Sequence, residues 1–264
     1  MELGLKGKVA WVNGASSGLG RASAVALAGE GASVALSARR NDLLDEIAAG
    51  ITGDTGSRCL ALPLDVTDKD AIASAAQTIE DELGGIDILV SNAGGPTPGS
   101  FDDLDEDALY RAFDLTTSSA WRLTKAALPS MRARGGGCLI YITSVSTKEI
   151  IPTLLLSNMM RSAVVGMAKT ISKALAPEGI RTVCVAPGRI ETARLVELDE
   201  HTAKRTGRTP AEVGEEVVSG IPAGRYGDPK EFGDVVAFLA SERASYVTGV
   251  TVVVDGGLLN GILS

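Results

Sequence analysis

The chain has 264 residues, 45% hydrophobic and 22% charged, a balance that supports a buried core and excludes disorder. Twenty-five lysines and arginines against 33 aspartates and glutamates leave a net charge of −8, which argues against nucleic acid or an anionic membrane as partner. The single histidine, His201, lies in the charged stretch DEHTAKR, so a multi-histidine metal centre is excluded and no metal is expected.

The opening residues, MELGLKGKVAW, lack an apolar signal core, and the apolar stretch 150–160 is eleven residues long, too short to cross about 30 Å of hydrocarbon. A soluble cytoplasmic protein is expected. Short apolar runs then alternate with longer segments of helical periodicity. VAWVN is the first predicted strand, followed by a glycine-rich turn and a helix over 21–29. SVALSA and CLALPLDV are the next strands, and a helix over 68–83 starts behind Asp68 as N-cap. IDILVSN, a helix over 105–134, CLIYITS, a helix over 153–176 and RTVCVAP follow. Residues 191–220 mix glycine, proline and charge and read as a mobile substrate-loop insertion. Asp228-Pro229 then opens a further helix, and VTVVVDG is the seventh strand.

Most of these strands are continuously apolar, as in a parallel sheet covered on both faces. The predicted fold is α/β, a Rossmann-type doubly wound parallel sheet of about seven strands, in a single dinucleotide-binding domain over 1–264. Cys59, Cys138 and Cys184 sit in apolar runs without CxxC spacing and read as buried thiols.

Asn13-Gly14-Ala15-Ser16-Ser17-Gly18-Leu19-Gly20 stands between the first strand and its helix. Glycines there let backbone approach a pyrophosphate, and the helix N-terminus attracts its charge. Candidate cofactor contacts are Gly14, Ser16, Ser17, Gly18, Leu19 and Gly20. The second strand ends in Ala38-Arg39-Arg40 where an acidic residue would bind the ribose 2′-hydroxyl of NAD. A guanidinium pairs instead with a 2′-phosphate, so Arg39 favours NADP(H) over NAD(H).

In order and spacing these motifs resemble the short-chain dehydrogenase/reductase family over essentially the whole chain. NGASSGLG resembles its TGxxxGxG turn, with Asn13 where threonine is usual, and Leu64-Asp65-Val66 resembles its adenine-holding segment. Ser91-Asn92-Ala93-Gly94 resembles NNAG, and the run from Pro187 to Thr192 resembles the PGxIxT stretch beside the nicotinamide. The tail from Tyr246 to Gly257 is similar to a C-terminal strand often found at tetramer interfaces. The resemblance implies cofactor contacts at Asp65, Val66, Asn92, Ala93, Gly94, Pro187, Gly188 and Ile190. It also implies a small-molecule substrate and a homo-oligomer, tetramer or dimer.

Family members pair a proton-donating tyrosine with a lysine four residues on, aided by a serine and a relay asparagine. The serine is present as Ser144, but Ser157 stands at the tyrosine position, Arg161 at the lysine position, and Asp114 is aligned with the asparagine. A serine hydroxyl is a far weaker acid than a phenol. Arginine cannot pass on a proton, yet it remains a cation able to stabilise an oxyanion. Asp114 paired with Arg161 would replace the lost relay. A literal YxxxK at Tyr226 to Lys230 is interrupted by Gly227 and Asp228-Pro229 and reads as coincidence. The expected function is an atypical oxidoreductase moving hydride between NADP(H) and a small carbonyl or hydroxy compound, by resemblance nearest to 3-oxoacyl carrier-protein reduction. The alternative is a non-catalytic NADP(H)-binding sensor or supporting subunit.

Overall fold

A computed structural model describes residues 2–262. Strands β1 (Val9–Asn13), β2 (Ser33–Ala38), β3 (Cys59–Pro63), β4 (Ile88–Ser91), β5 (Gly137–Ile142), β6 (Ile180–Pro187) and β7 (Val250–Val254) form one sheet in the order β3-β2-β1-β4-β5-β6-β7. Every pairing is parallel. All residues of β1 and β4 are buried, which is why those runs carry no polar alternation.

Helices α1 (Gly18–Gly29), α2 (Asn41–Thr55), α3 (Lys69–Leu83), α4 (Glu106–Ala112), α5 (Ser119–Ala133), α6 (Leu155–Leu175), α7 (Ala193–Thr206), α8 (Pro210–Ser219) and α9 (Pro229–Ala240) complete the architecture. On one face Leu27 of α1, Leu44 of α2 and Phe232 of α9 pack over Val12 and Val34. On the other, Ile79 of α3, Leu123 of α5 and Val164 of α6 pack over Trp11, Leu89 and Leu139. The expected doubly wound Rossmann-type sheet is the fold observed.

Local signals explain the helix ends. Asp68 accepts hydrogen bonds from the backbone of Asp70 and Ala71, and Asp228 caps α9 with Pro229 behind it and Glu231 closing the capping box. Two expectations change. The helix predicted over 105–134 is three pieces, because residues Phe113–Ser118 form a π-helical turn between α4 and α5. Residues 191–220 are mostly helical, in α7 and α8, each started by a capping threonine, Thr192 and Thr209.

The chain departs from β1 in two directions, to β2 and β3 on one side and to β4 onward on the other, so a crevice opens at the carboxyl ends of β1 and β4. At the opposite end the sheet is locked by Asp87, which accepts from Val9 N at 2.8 Å and from two nitrogens of Arg134 at 2.9 Å each.

Candidate active site

β1 delivers Asn13 to the crevice, and the chain turns there through Gly14 (φ 63°) and Gly18 (φ 54°), both in the left-handed region. A Cβ on Gly20 would lie 2.3 Å from the Gly14 carbonyl oxygen, and one on Gly14 would lie 2.6 Å from Asn92 Nδ2. Asn92 Nδ2 donates to the Asn13 carbonyl at 3.3 Å, tying the ends of β4 and β1 together, while Asn13 Oδ1 is buried without a partner. Leu19 turns its side chain onto the core. Ser17 makes no capping bond to α1, and no acidic residue stands in that helix's first turn. The free N–H groups and positive helix end therefore face the crevice, and this cradle fits a dinucleotide pyrophosphate.

Of the two arginines after β2, Arg40 reaches this turn, its Nη2 donating to Ser16 Oγ at 2.9 Å and Ser17 Oγ at 3.2 Å. Arg39 lies toward Asp65. Hydrogen bonds from Thr67 hold the Asp65 carboxyl below the usual range, and the charge of Arg39 adds to this. Val66 sits half-buried beside it.

The segment after β6 folds back over the turn. Gly188 N donates to Val254 O at 2.9 Å, and a Cβ at Gly188 would lie 2.6 Å from Asp255 Cβ. Ile190 is buried against Gly227, where a Cβ would meet Ile190 Cδ1 at 2.5 Å. The Thr192 methyl stands 3.3 Å from the Cβ position of Gly18. Pro187 ends β6, Ala93 lines an inner cavity, and Gly94 faces open space.

Ser144 leaves β5 with its Oγ accepting from Ser146 N at 3.1 Å. Ser157 and Arg161 stand one turn apart on α6, and Arg161 Nε donates to Ser157 Oγ at 3.3 Å. Arg161 Nη1 donates to the Ile142 carbonyl at 3.0 Å, so the guanidinium is tied to the end of β5. Burial pulls its pKa down to about 10, the nearby charge of Arg194 adding to the effect, and it remains a cation at neutral pH. Arg161 lines a narrow cavity with Ser91, Thr116, Tyr141 and Val164, of about 10 Å³, at the threshold for one water. Thr116 Oγ1 is buried there without a partner.

The expected pair of Asp114 with Arg161 does not form. Asp114 bonds Arg122 at 2.8 Å with its side chain two-fifths exposed. Asp114 and Thr116 both lie in the π-helical turn, which has more residues per turn than an α-helix, and there it is Thr116, two residues later, that lines the cavity. Thr117 Oγ1 fastens the turn to α6 through the Met160 carbonyl at 3.2 Å. The nearest phenol, Tyr141, shares a 2.5 Å hydrogen bond with Thr124, and burial pushes its pKa upward, so it is a poor proton donor. Tyr226 bonds Asp199 at 3.0 Å while Lys230 pairs with Asp234 at 2.7 Å, so that YxxxK is no dyad.

Sequence reasoning did not single out Arg194, Thr116 or Arg40; Arg40 is the arginine that reaches the glycine turn, while the expected Arg39 stands at the same edge toward Asp65. Among the described residues, no cluster of three or more histidine, cysteine, aspartate or glutamate side chains is spaced for a metal, and no helix is long and apolar enough to cross a membrane.

The model for the Enoyl-(Acyl carrier protein) reductase family matches residues 14–259. The chain is 35% identical over 258 residues to the Oxidoreductase UcpA of Escherichia coli (strain K12), covering 96% of this chain and 95% of that protein. It belongs to the short-chain dehydrogenase/reductase family. Its similarity to the Dehydrogenase/reductase SDR family member 4 of Homo sapiens is 35% identity over 260 residues, 96% of this chain and 88% of the other. Among solved structures it resembles L-sorbose reductase from Gluconobacter frateurii complexed with NADPH and L-sorbose, with a TM-score of 0.94, 32% identity, and 99% and 100% of the two chains covered. This short-chain dehydrogenase/reductase is of the oxidoreductase type.

Proposed function

We propose that the protein is an NADP(H)-dependent carbonyl reductase in which a fixed cation replaces the family's tyrosine–lysine dyad. The observation that carries the reading is Arg161, a half-buried guanidinium held by Ser157 and Ile142 beside an intact dinucleotide cradle. A bound nicotinamide supplies hydride. Gly14, Gly18, Gly20 and the start of α1 hold the pyrophosphate, with Asn92 setting the turn. Asp65, Val66, Ala93, Gly94, Pro187, Gly188 and Ile190 form the walls around the remaining cofactor. Arg40, with Ser16 and Ser17, holds the 2′-phosphate, with Arg39 at the same edge; this preference agrees with the NADPH in the L-sorbose reductase structure.

On the substrate side Ser144 orients the carbonyl oxygen through its hydroxyl. Arg161 balances the charge that develops on that oxygen, a role that needs no proton transfer from the guanidinium. Ser157 positions Arg161. The proton comes from water, for which the cavity beside Thr116 Oγ1 has room for one molecule. α7 and α8 (residues 191–220) form the mobile cover over the substrate. Edge strand β7, only half-buried, pairs with a second copy in a homo-oligomer. Three free thiols fit the reducing cytoplasm.

NADPH oxidation against ketones, diketones and 3-oxoacyl thioesters tests the reading, run beside the Ser157→Tyr/Arg161→Lys double variant. Turnover by the unmodified protein is expected. The weak acidity of Ser157 favours a second reading, a non-catalytic NADP(H) binder; turnover by the double variant alone would establish that reading instead.

A further inference from the structure

Arginines near the carboxyl ends of the strands fall into two groups. Arg122 is paired with Asp114 at 2.8 Å and Arg189 with Asp199 at 3.6 Å, each less than a third exposed. Arg161 belongs with Arg40, which bonds only the hydroxyls of Ser16 and Ser17, but is more deeply set. Among the described residues no carboxylate pairs with it, and its two hydrogen bonds go to a hydroxyl and a carbonyl, both neutral. A half-buried cation without a counter-ion is costly unless an anion joins it. Those two bonds use Nε and Nη1 of Arg161, and among the described residues none is given to its Nη2.

Arg194, at the start of α7, is the second cation of this region. Its Nη2 donates to the Pro96 carbonyl at 2.9 Å, which fastens α7 to the loop after β4. The fit is close: a Cβ on Gly95 would stand 2.9 Å from both Nε and Nη2 of Arg194. Its one carboxylate, Glu197 at 3.1 Å, is largely exposed and so weakly neutralising. Both cations stand against the segment after β4: Arg161 shares its cavity with Ser91 and Ala93, and Arg194 lies on Gly95 and Pro96. Of these two guanidiniums only Arg194 has a carboxylate partner among the described residues, and that partner is exposed, in a chain whose net charge is −8.

We infer that the substrate is an oxo acid, whose carboxylate is bound between Arg161 and Arg194 while its carbonyl faces Ser144. The inference rests on the carbonyl-reductase reading and names its substrate class. Arg161 then serves both ends of the substrate, with Nη2 toward the carboxylate, and α7 brings Arg194 to it as a clamp on an acid of short reach. Reduction converts the oxo acid, NADPH and one proton to the hydroxy acid and NADP, with the carboxylate unchanged.

The test compares 2-oxo and 3-oxo acids of four to nine carbons with their methyl esters in NADPH oxidation. The expected kcat/KM is about 100-fold higher for an acid than for its ester, since a charge-assisted pair is lost in the ester. Arg194→Met should reduce that ratio to below about 10, mainly through KM of the acid, and Arg194→Lys should restore part of it. Esters turned over as well as acids, or an unchanged ratio in Arg194→Met, would overturn the inference while leaving the reductase reading intact.

Calorimetry on protein loaded with NADP separates the two ideas if no substrate turns over. Phenylacetate should bind at least about tenfold tighter than phenylacetamide, and Arg194→Met should erase the difference. Equal binding of acid and amide would overturn the anion site on its own.

Discussion

The turn after β1 and the half-buried Ser157–Arg161 face of α6 flank one crevice, yet they differ in how much substitution they have absorbed. At the turn every constraint is steric: Gly20 would drive a Cβ to 2.3 Å from the Gly14 carbonyl, and Gly14 a Cβ to 2.6 Å from Asn92. On α6 the proposed constraint is electrostatic, and Arg161 would meet it with a guanidinium tied to Ser157 and Ile142. A backbone cradle admits no chemical substitute, whereas a positive charge near a reacting oxygen comes from lysine or arginine alike. The lesson is that in this chain the turn is specified by shape and the α6 position by charge.

That contrast is open to attack, most strongly at the turn. Gly20→Val should weaken NADPH binding by about 100-fold or more, read by fluorescence titration, with the melting temperature showing whether the sheet survives. Unchanged affinity would mean that the turn is not the pyrophosphate cradle. A smaller effect is expected at its edge: Arg40→Ala should lower the preference for NADPH over NADH by roughly 10-fold, measured as the ratio of the two dissociation constants. If Arg39→Ala lowers that ratio and Arg40→Ala does not, the 2′-phosphate is held on the Asp65 side instead.

The smallest effect is one of pH. Arg161, held at about 10, is cationic below that value and loses its charge as pH rises through it. The rate should therefore show no alkaline decline attributable to this group between pH 6 and 9, and should fall only beyond about 10. A kcat profile that declines near pH 8 would assign the chemistry to another group.

The strands were legible in the sequence because a buried parallel sheet needs uninterrupted apolar runs, and seven such runs stand in VAWVN to VTVVVDG. Helix α2 was harder to see, since NDLLDEIAAGITGDT carries two glycines and three aspartates among few apolar positions. The helicity of 191–220 was written in its caps: Thr209-Pro210-Ala211-Glu212 is a capping box with a first-turn proline, outweighed in the reading by the surrounding glycine and charge. The glycine turn was plain because its spacing is local. Thr116 was not, since Asp114, Thr116, Thr117, Ser118 and Ser119 are all polar and only the π-helical turn decides which faces the cavity. Arg194 was beyond reach for a related reason: its partners, Gly95 and Pro96, lie about a hundred residues away, and no pattern along the chain joins them.

The central claim is that Arg161 carries catalysis without a tyrosine. Its most direct test is NADPH oxidation by Arg161→Met beside the unmodified protein, with NADPH affinity measured on both. The account predicts that kcat falls by about 100- to 1,000-fold while the dissociation constant changes by less than about tenfold. Turnover in Arg161→Met equal to that of the unmodified protein would contradict it.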